Sequence, residues 1–272
     1  MTMRIIHFSD VHVPAVLTPR SFTDKRILGC CNSLLVRKHA YRMAYFEKAV
    51  PAILQASPDL IVFTGDAVST ADPVEFRDAA ERFQPLVQSG IPLLYVPGNH
   101  DMYVRAKACR EAMESFYTLL NGGIAYHDAP RLVTAGGVRF AAIHCAKPLS
   151  WYFSCGVMKP ETSAFLETEA AKESDMPLVC VGHFPLLRRE NFIKDFRRRL
   201  YGAETAASLL HQGRIALSLC GHIHHGFETI LDESKGYGEY CAGSLTKEGS
   251  LLEITWNEPE KRFRHKRISF TE

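Results

Sequence analysis

Five short apolar runs, spread over most of the chain, each end in a polar cluster. Residues 4–9 lead into Asp10-Val-His12, and residues 59–64 into Gly65-Asp66. Residues 91–96 lead into Pro97-Gly-Asn-His-Asp101, residues 177–181 into Gly182-His183, and residues 215–220 into Gly221-His-Ile-His224. Continuous apolar runs of this length fit strands buried on both faces. Between them, residues 40–56, 73–88 and 105–120 carry apolar stripes at helical spacing, with Tyr41, Tyr45, Ala49, Ala52 and Ile53 on one face of the first. Pro73 and Pro160 suit first helical turns, and Gly90 and Gly122 suit helix ends. Strand alternating with helix predicts an α/β fold whose strand-end loops share one crevice.

The C-terminal quarter changes character. Residues 227–231, 237–242, 249–256 and 262–269 read as closely spaced strands, which predicts a second sheet, antiparallel at least in part, packed against the first. The expected architecture is two packed mixed β-sheets flanked by helices on both outer faces, a four-layer sandwich. With 46% hydrophobic and 23% charged residues over 272 positions, the chain can bury a large core without disulfides. That composition excludes a disordered chain or a disulfide scaffold. No repeat or linker interrupts it, so residues 1–272 read as a single domain. The eight cysteines form no Cys-x-x-Cys pair, the first apolar run is too short and polar for a signal segment, and no run approaches the roughly 20 apolar residues of a membrane span. Reduced thiols and a cytoplasmic location are expected, with contact at the inner face of a membrane the alternative.

The strand-end clusters hold five of the 12 histidines. Imidazole nitrogens and carboxylate oxygens ligate divalent Mn, Fe, Zn or Co. Asp10, His12, Asp66, Asn99, His183, His222 and His224 supply seven ligand groups, too many for one tetrahedral ion and suited to two metals sharing a carboxylate. At the strand ends, the i, i+2 spacing of Asp10-x-His12 and of His222-x-His224 is expected to put both side chains on one face.

Asp-x-His, Gly-Asp, Gly-Asn-His-Asp, Gly-His and Gly-His-x-His, complete and in this order, resemble the calcineurin-like metallophosphoesterase superfamily. The Gly-Asn-His-Asp and Gly-His-Ile-His forms are similar to its cyclic-nucleotide phosphodiesterase branch. The resemblance implies two mixed sheets between helices and two divalent metal ions, Mn2+ first and Fe, Zn or Co as alternatives. One ion would be held by Asp10, His12, Asp66 and His224, the other by Asp66, Asn99, His183 and His222. It implies a phosphodiesterase in which a metal-activated hydroxide attacks phosphorus in line with the leaving oxygen. His100 would stabilise the transition state or protonate the leaving group. Asp101 would orient a histidine.

Substrate choice is less constrained, because the superfamily spans many esters. A small phosphodiester or nucleotide is the first expectation. Residues 18–39 are apolar in the middle and carry Lys25, Arg26, Arg37 and Lys38 on the flanks. They read as a lid or as a membrane-binding surface through 25–38. The second case would suit a pyrophosphatase of a lipid-linked nucleotide sugar, similar to UDP-diacylglucosamine hydrolases. Arg26, Arg188, Arg189 and His225 are candidate substrate contacts, and Trp151-Tyr-Phe153 could stack a base or line an acyl groove. The formal charge of +2, from 32 basic and 30 acidic groups, argues against nucleic acid as a partner. A scaffold that lost catalysis would lack ligands, and none is missing here. Oligomeric state is not legible.

Overall fold

The computed structural model describes residues 2–22, 24–35, 40–150, 153–187 and 196–270. Strands β1 (Thr2–Phe8), β2 (Leu60–Phe63) and β3 (Leu93–Tyr95) run parallel, as the first three apolar runs predict. Alternate side chains on them face different cores. Ile5, Leu60 and Val62 point between the sheets, while Ile6, Ile61 and Phe63 point outward to the helices.

The outward layer is built by α2 (Met43–Ala56), α3 (Pro73–Gln88) and α4 (Lys107–Leu120), which follow α1 (Arg26–Leu35) in chain order. Pro73 opens α3 behind the N-cap Asp72, whose carboxylate accepts from Val74 N–H at 3.0 Å. The buried face of α2 is Phe46, Ala49, Val50 and Ile53, so the predicted stripe holds at Ala49 and Ile53 but not at Tyr45 or Ala52, and Tyr41 lies before the helix.

The other large sheet contains β4 (Arg131–Ala135), β5 (Val138–Ala142), β7 (Leu178–Val181) and β9 (Leu217–Cys220), with the short β6 (Gly156–Val157) and β8 (Leu200–Tyr201) pairing separately. Helices α5 (Pro160–Ala171) and α6 (Glu204–His211) cover its outer face through Leu166, Ala206 and Leu210. The result is helix, sheet, sheet, helix, as expected.

One expectation is corrected. The C-terminal strands do not make a sheet of their own. β10 (Phe227–Asp232) and β11 (Tyr237–Cys241) extend the second sheet beside β9. After α7 (Leu245–Glu248), β12 (Ser250–Asn257) and β13 (Arg262–Ser269) cross to the first sheet beside β1. Each sheet thus combines parallel motif strands with an antiparallel edge. The crossing lets Trp256 and Phe263 fill the inter-sheet core, with ring centroids 4.6 Å apart.

Candidate metal centre

The loops after β1, β2, β3, β7 and β9 meet at one end of the two sheets. Beyond the strands, β1 and β2 stay paired: Asp10 N–H donates to Gly65 O and His12 N–H to Asp66 O, both at 2.9 Å. The expected i, i+2 alignment does not hold. Asp10 and His12 lie past the end of β1 and adopt left-handed backbone, φ 54° and 49°, and His222 and His224 do the same at 69° and 57°. Asp66 is left-handed as well, at φ 55°. For a residue with a side chain this costs about 1–2 kcal/mol, and such strain gathers at functional sites. Turns, rather than pleat alternation, aim these ligands inward.

Each of the two carboxylates is held by one oxygen. Asp10 Oδ2 accepts from His222 N–H at 2.9 Å, and Asp66 Oδ1 accepts from His100 N–H at 2.7 Å. The remaining oxygens face the cluster. Asp10 Oδ1 is 3.0 Å from His224 Nε2, and Asp66 Oδ2 is 3.7 Å from His12 Nε2 and 3.4 Å from His183 Nε2. A Cβ at Gly98 would fall on the Asp66 carboxylate, and one at Gly221 on Ser9 Oγ and the Asp10 carboxylate. These glycines let one ligand loop press against another.

Ligand atoms of Asp10, His12, Asp66 and His224 lie within 4.8 Å of one another, as do those of Asp66, His183 and His222. Asp66 belongs to both groups. Asn99 Oδ1 joins the second, 3.2 Å from His183 Nε2. The donor set fits two cations on a direct test. Asp66 Oδ2 and His222 Nε2 are buried with no hydrogen-bond partner among the described residues, a costly arrangement unless something else satisfies them. His183 has the form of a ligand histidine. Its Nδ1–H donates to Thr64 O at 2.6 Å, which turns Nε2 to the cluster. Burial by itself lowers the His183 pKa, but the Asp66 carboxylate reverses this and raises it to about 10. Burial likewise pushes the Asp66 carboxyl up, yet His183 and His100 hold it well below the usual range. The cluster therefore favours positive charge at its centre.

The remaining predicted residues separate. His100 stands beside the cluster, its ring edge-on to His12 at 4.8 Å, and its Nδ1–H donates to Ser69 O at 2.6 Å. Among the described residues Asp101 orients no histidine, contrary to expectation. Its oxygens accept from Asp66, Ala67, Val68 and Gly98 N–H groups and from Tyr95 Oη, so it fastens the Asp66 loop. Arg26 is no substrate contact. It is 1% exposed, with Nε 2.9 Å from Asp24 Oδ1 and Nη1 3.2 Å from Asp72 Oδ2, because α1 packs that side chain against the start of α3. His225 turns to Glu248 at 2.7 Å. His144, which lies outside the motifs, packs against the rings of Tyr126 and Tyr117. Arg188, Arg189, Arg37, Lys38, Trp151 and Tyr152 lie outside the described residues.

Three groups near the cluster carry no motif. Tyr103 stacks on His100 at 5.5 Å and 8°, and Lys25 Nζ lies 4.1 Å from the Tyr103 ring while donating to Leu149 O at 2.8 Å. Tyr41 Oη lies 2.7 Å from His224 Nδ1. The spacing of Tyr41 and Tyr103 from the motifs follows no pattern, so only the fold could find them, whereas Lys25 belongs to the basic flank read in the sequence.

A model of the calcineurin-like phosphoesterase family matches residues 3–226. Among curated relatives, the chain is 25% identical over 178 residues to a probable glycerophosphodiester phosphodiesterase GpdQ of Arcobacter nitrofigilis, covering 65% of this chain and 60% of that one. It is 22% identical to a subunit of the nuclease SbcCD of Staphylococcus saprophyticus, covering 95% of this chain and 63% of that one. The chain thus spans about three fifths of the length of these relatives. A dimetal phosphatase from Danio rerio shares the fold with a TM-score of 0.62 at 13% identity, each chain covered to 99%.

Proposed function

Because the chain belongs to the calcineurin-like phosphoesterase family, we propose that it hydrolyses a small phosphodiester or nucleotide with two divalent cations. Asp10, His12, Asp66 and His224 hold one, and Asp66, Asn99, His183 and His222 hold the other. The observation that carries this reading is Asp66 Oδ2, a buried oxygen without a hydrogen-bond partner among the described residues, set between the two ligand groups. Two cations so placed supply an activated water and a clamp on the phosphoryl oxygens.

The chain's own residues prepare that chemistry. Asp101 and the glycines fix the loops so that ligands need no rearrangement during reaction. His100, with Nδ1–H committed to Ser69 O, can carry a second proton on Nε2 and deliver it to a leaving oxygen. The relative named a phosphodiesterase supports a diester substrate, and the near-zero charge supports a small one. Mn2+ is the first cation to try.

The test is turnover by Mn2+-loaded protein of bis-p-nitrophenyl phosphate, p-nitrophenyl phosphate, cyclic nucleotides, a DNA oligonucleotide and UDP-diacylglucosamine in detergent. Diester turnover is expected. No turnover of any substrate with both sites filled overturns the reading, and cleavage of the oligonucleotide alone redirects it.

A second reading, the membrane contact expected of residues 25–38, has one observation in its favour, on the segment just before them. Val16, Leu17 and Phe22 expose 39%, 49% and 68% of their surface. Phe22→Ser with Leu17→Ser should abolish binding to anionic liposomes, and unchanged binding sinks this reading. Among the described residues no helix is long and apolar enough to cross a membrane.

A further inference from the structure

We infer that Tyr41, a residue outside every motif, positions His224 for the cation site it shares with Asp10, His12 and Asp66. The inference rests on the two-cation reading above. Tyr41 lies just before α2, and its Oη is 2.7 Å from His224 Nδ1. The other nitrogen of the same ring faces the cluster: His224 Nε2 is 3.0 Å from both Asp10 Oδ1 and His12 Nε2. The two nitrogens thus have separate partners, and the phenol decides which one points inward.

The tautomer follows. A histidine that gives its Nε2 lone pair to a cation keeps its proton on Nδ1, and Nδ1–H then donates to the Tyr41 oxygen. His183 achieves the same with a backbone carbonyl, Thr64 O. His224 needs a side chain for the purpose. It is the one member of its ligand group that is not fully buried, its side chain being 14% exposed. Packing therefore restrains it least, and the orienting bond matters most there. The Tyr41 ring adds shape as well as a hydrogen bond, meeting His12 edge-on at 5.2 Å and His224 edge-on at 5.8 Å. Tyr41→Phe keeps those ring contacts and removes only the oxygen.

Loss of such an orienting partner typically lowers metal affinity about 10- to 100-fold. The test is calorimetric titration of the metal-stripped full chain with Mn2+ and Zn2+. Wild type should fill two sites. Tyr41→Phe should bind at one site about tenfold or more weakly and leave the other unchanged. Equal affinity at both sites in the variant overturns the inference. A wild type that binds fewer than two cations breaks the two-cation reading instead, so the two failures are distinguishable. In a His224→Ala background, adding Tyr41→Phe should change affinity no further; a further loss means that Tyr41 acts by another route and also overturns the inference. Should the phenyl variant fail to fold, nitrogen NMR of the His224 ring in Zn2+-loaded wild type decides. A protonated Nδ1 with a metal-bound Nε2 is expected, and a metal-bound Nδ1 overturns it.

Discussion

His183 and His144 occupy equivalent places at the ends of neighbouring parallel strands. β5 and β7 pair with Ala142 opposite Val181, and each histidine is the second residue beyond its strand. Their surroundings are opposite. His183 faces Asp66 and is raised to about 10 despite burial. Burial and the charge of Arg131 lower His144 to about 3, and its neighbours are the rings of Tyr126 at 4.8 Å and Tyr117 at 5.0 Å. The residues before them differ too. Gly182 leaves room that a Cβ would take from Ile143, 3.1 Å from its Cγ1. Equivalent positions on the fold thus give opposite surroundings: a carboxylate neighbour favours positive charge at His183, and burial disfavours it at His144.

Substitution should separate the two most sharply. His183→Ala is expected to cut kcat at least about 100-fold, comparable with loss of a key charge-stabilising group. His144→Phe should leave kcat and KM near wild type. Similar losses in both would break the contrast. Asn99→Ala should match His183→Ala in steady-state assays, since both belong to the second ligand group; full activity would show that group to be wrongly drawn.

Metal removal gives a smaller signal. A cation at about 100 times its dissociation constant stabilises the native state by roughly 2.7 kcal/mol. Thermal melts with and without chelator should show that shift in wild type and in His144→Phe, and a reduced one in His183→Ala. A full shift in His183→Ala would remove it from the ligands.

The smallest effect is on acid stability. His144 takes a proton near pH 6.5 when unfolded and only near about 3 when folded. Between those values the unfolded state binds more protons, so stability falls as pH drops through that window. His144→Phe should reduce the stability lost between about pH 7 and pH 5 by about 2 kcal/mol. Denaturant melts at the two pH values check this, and an unchanged difference would show His144 to be solvated.

The motif positions make the site legible in the chain itself. Asp10, His12, Asp66, Asn99, His183, His222 and His224 follow apolar runs, and an α/β chain has one place for such loops to meet. Charge runs proved poorer guides. Arg26 reads as surface cation but is buried, because a run of basic residues carries no information about which way each side chain turns. Asp101 reads as a histidine partner but caps backbone donors, since its register to the Asp66 loop depends on contacts between residues 33 to 35 positions apart.

By itself the sequence determined the motif-bearing strands, the C-terminal strands, the helices over 40–56, 73–88 and 105–120 and the kinds of atom available for chemistry, because apolar periodicity and side-chain identity are local properties. The tertiary structure decided the rest. It sent β12 and β13 across to the first sheet, set five candidate ligand residues in left-handed backbone, and placed Tyr41 against His224, 183 positions away along the chain. Those outcomes depend on which surfaces pack together and on which buried polar atoms must find partners, and no local pattern records either.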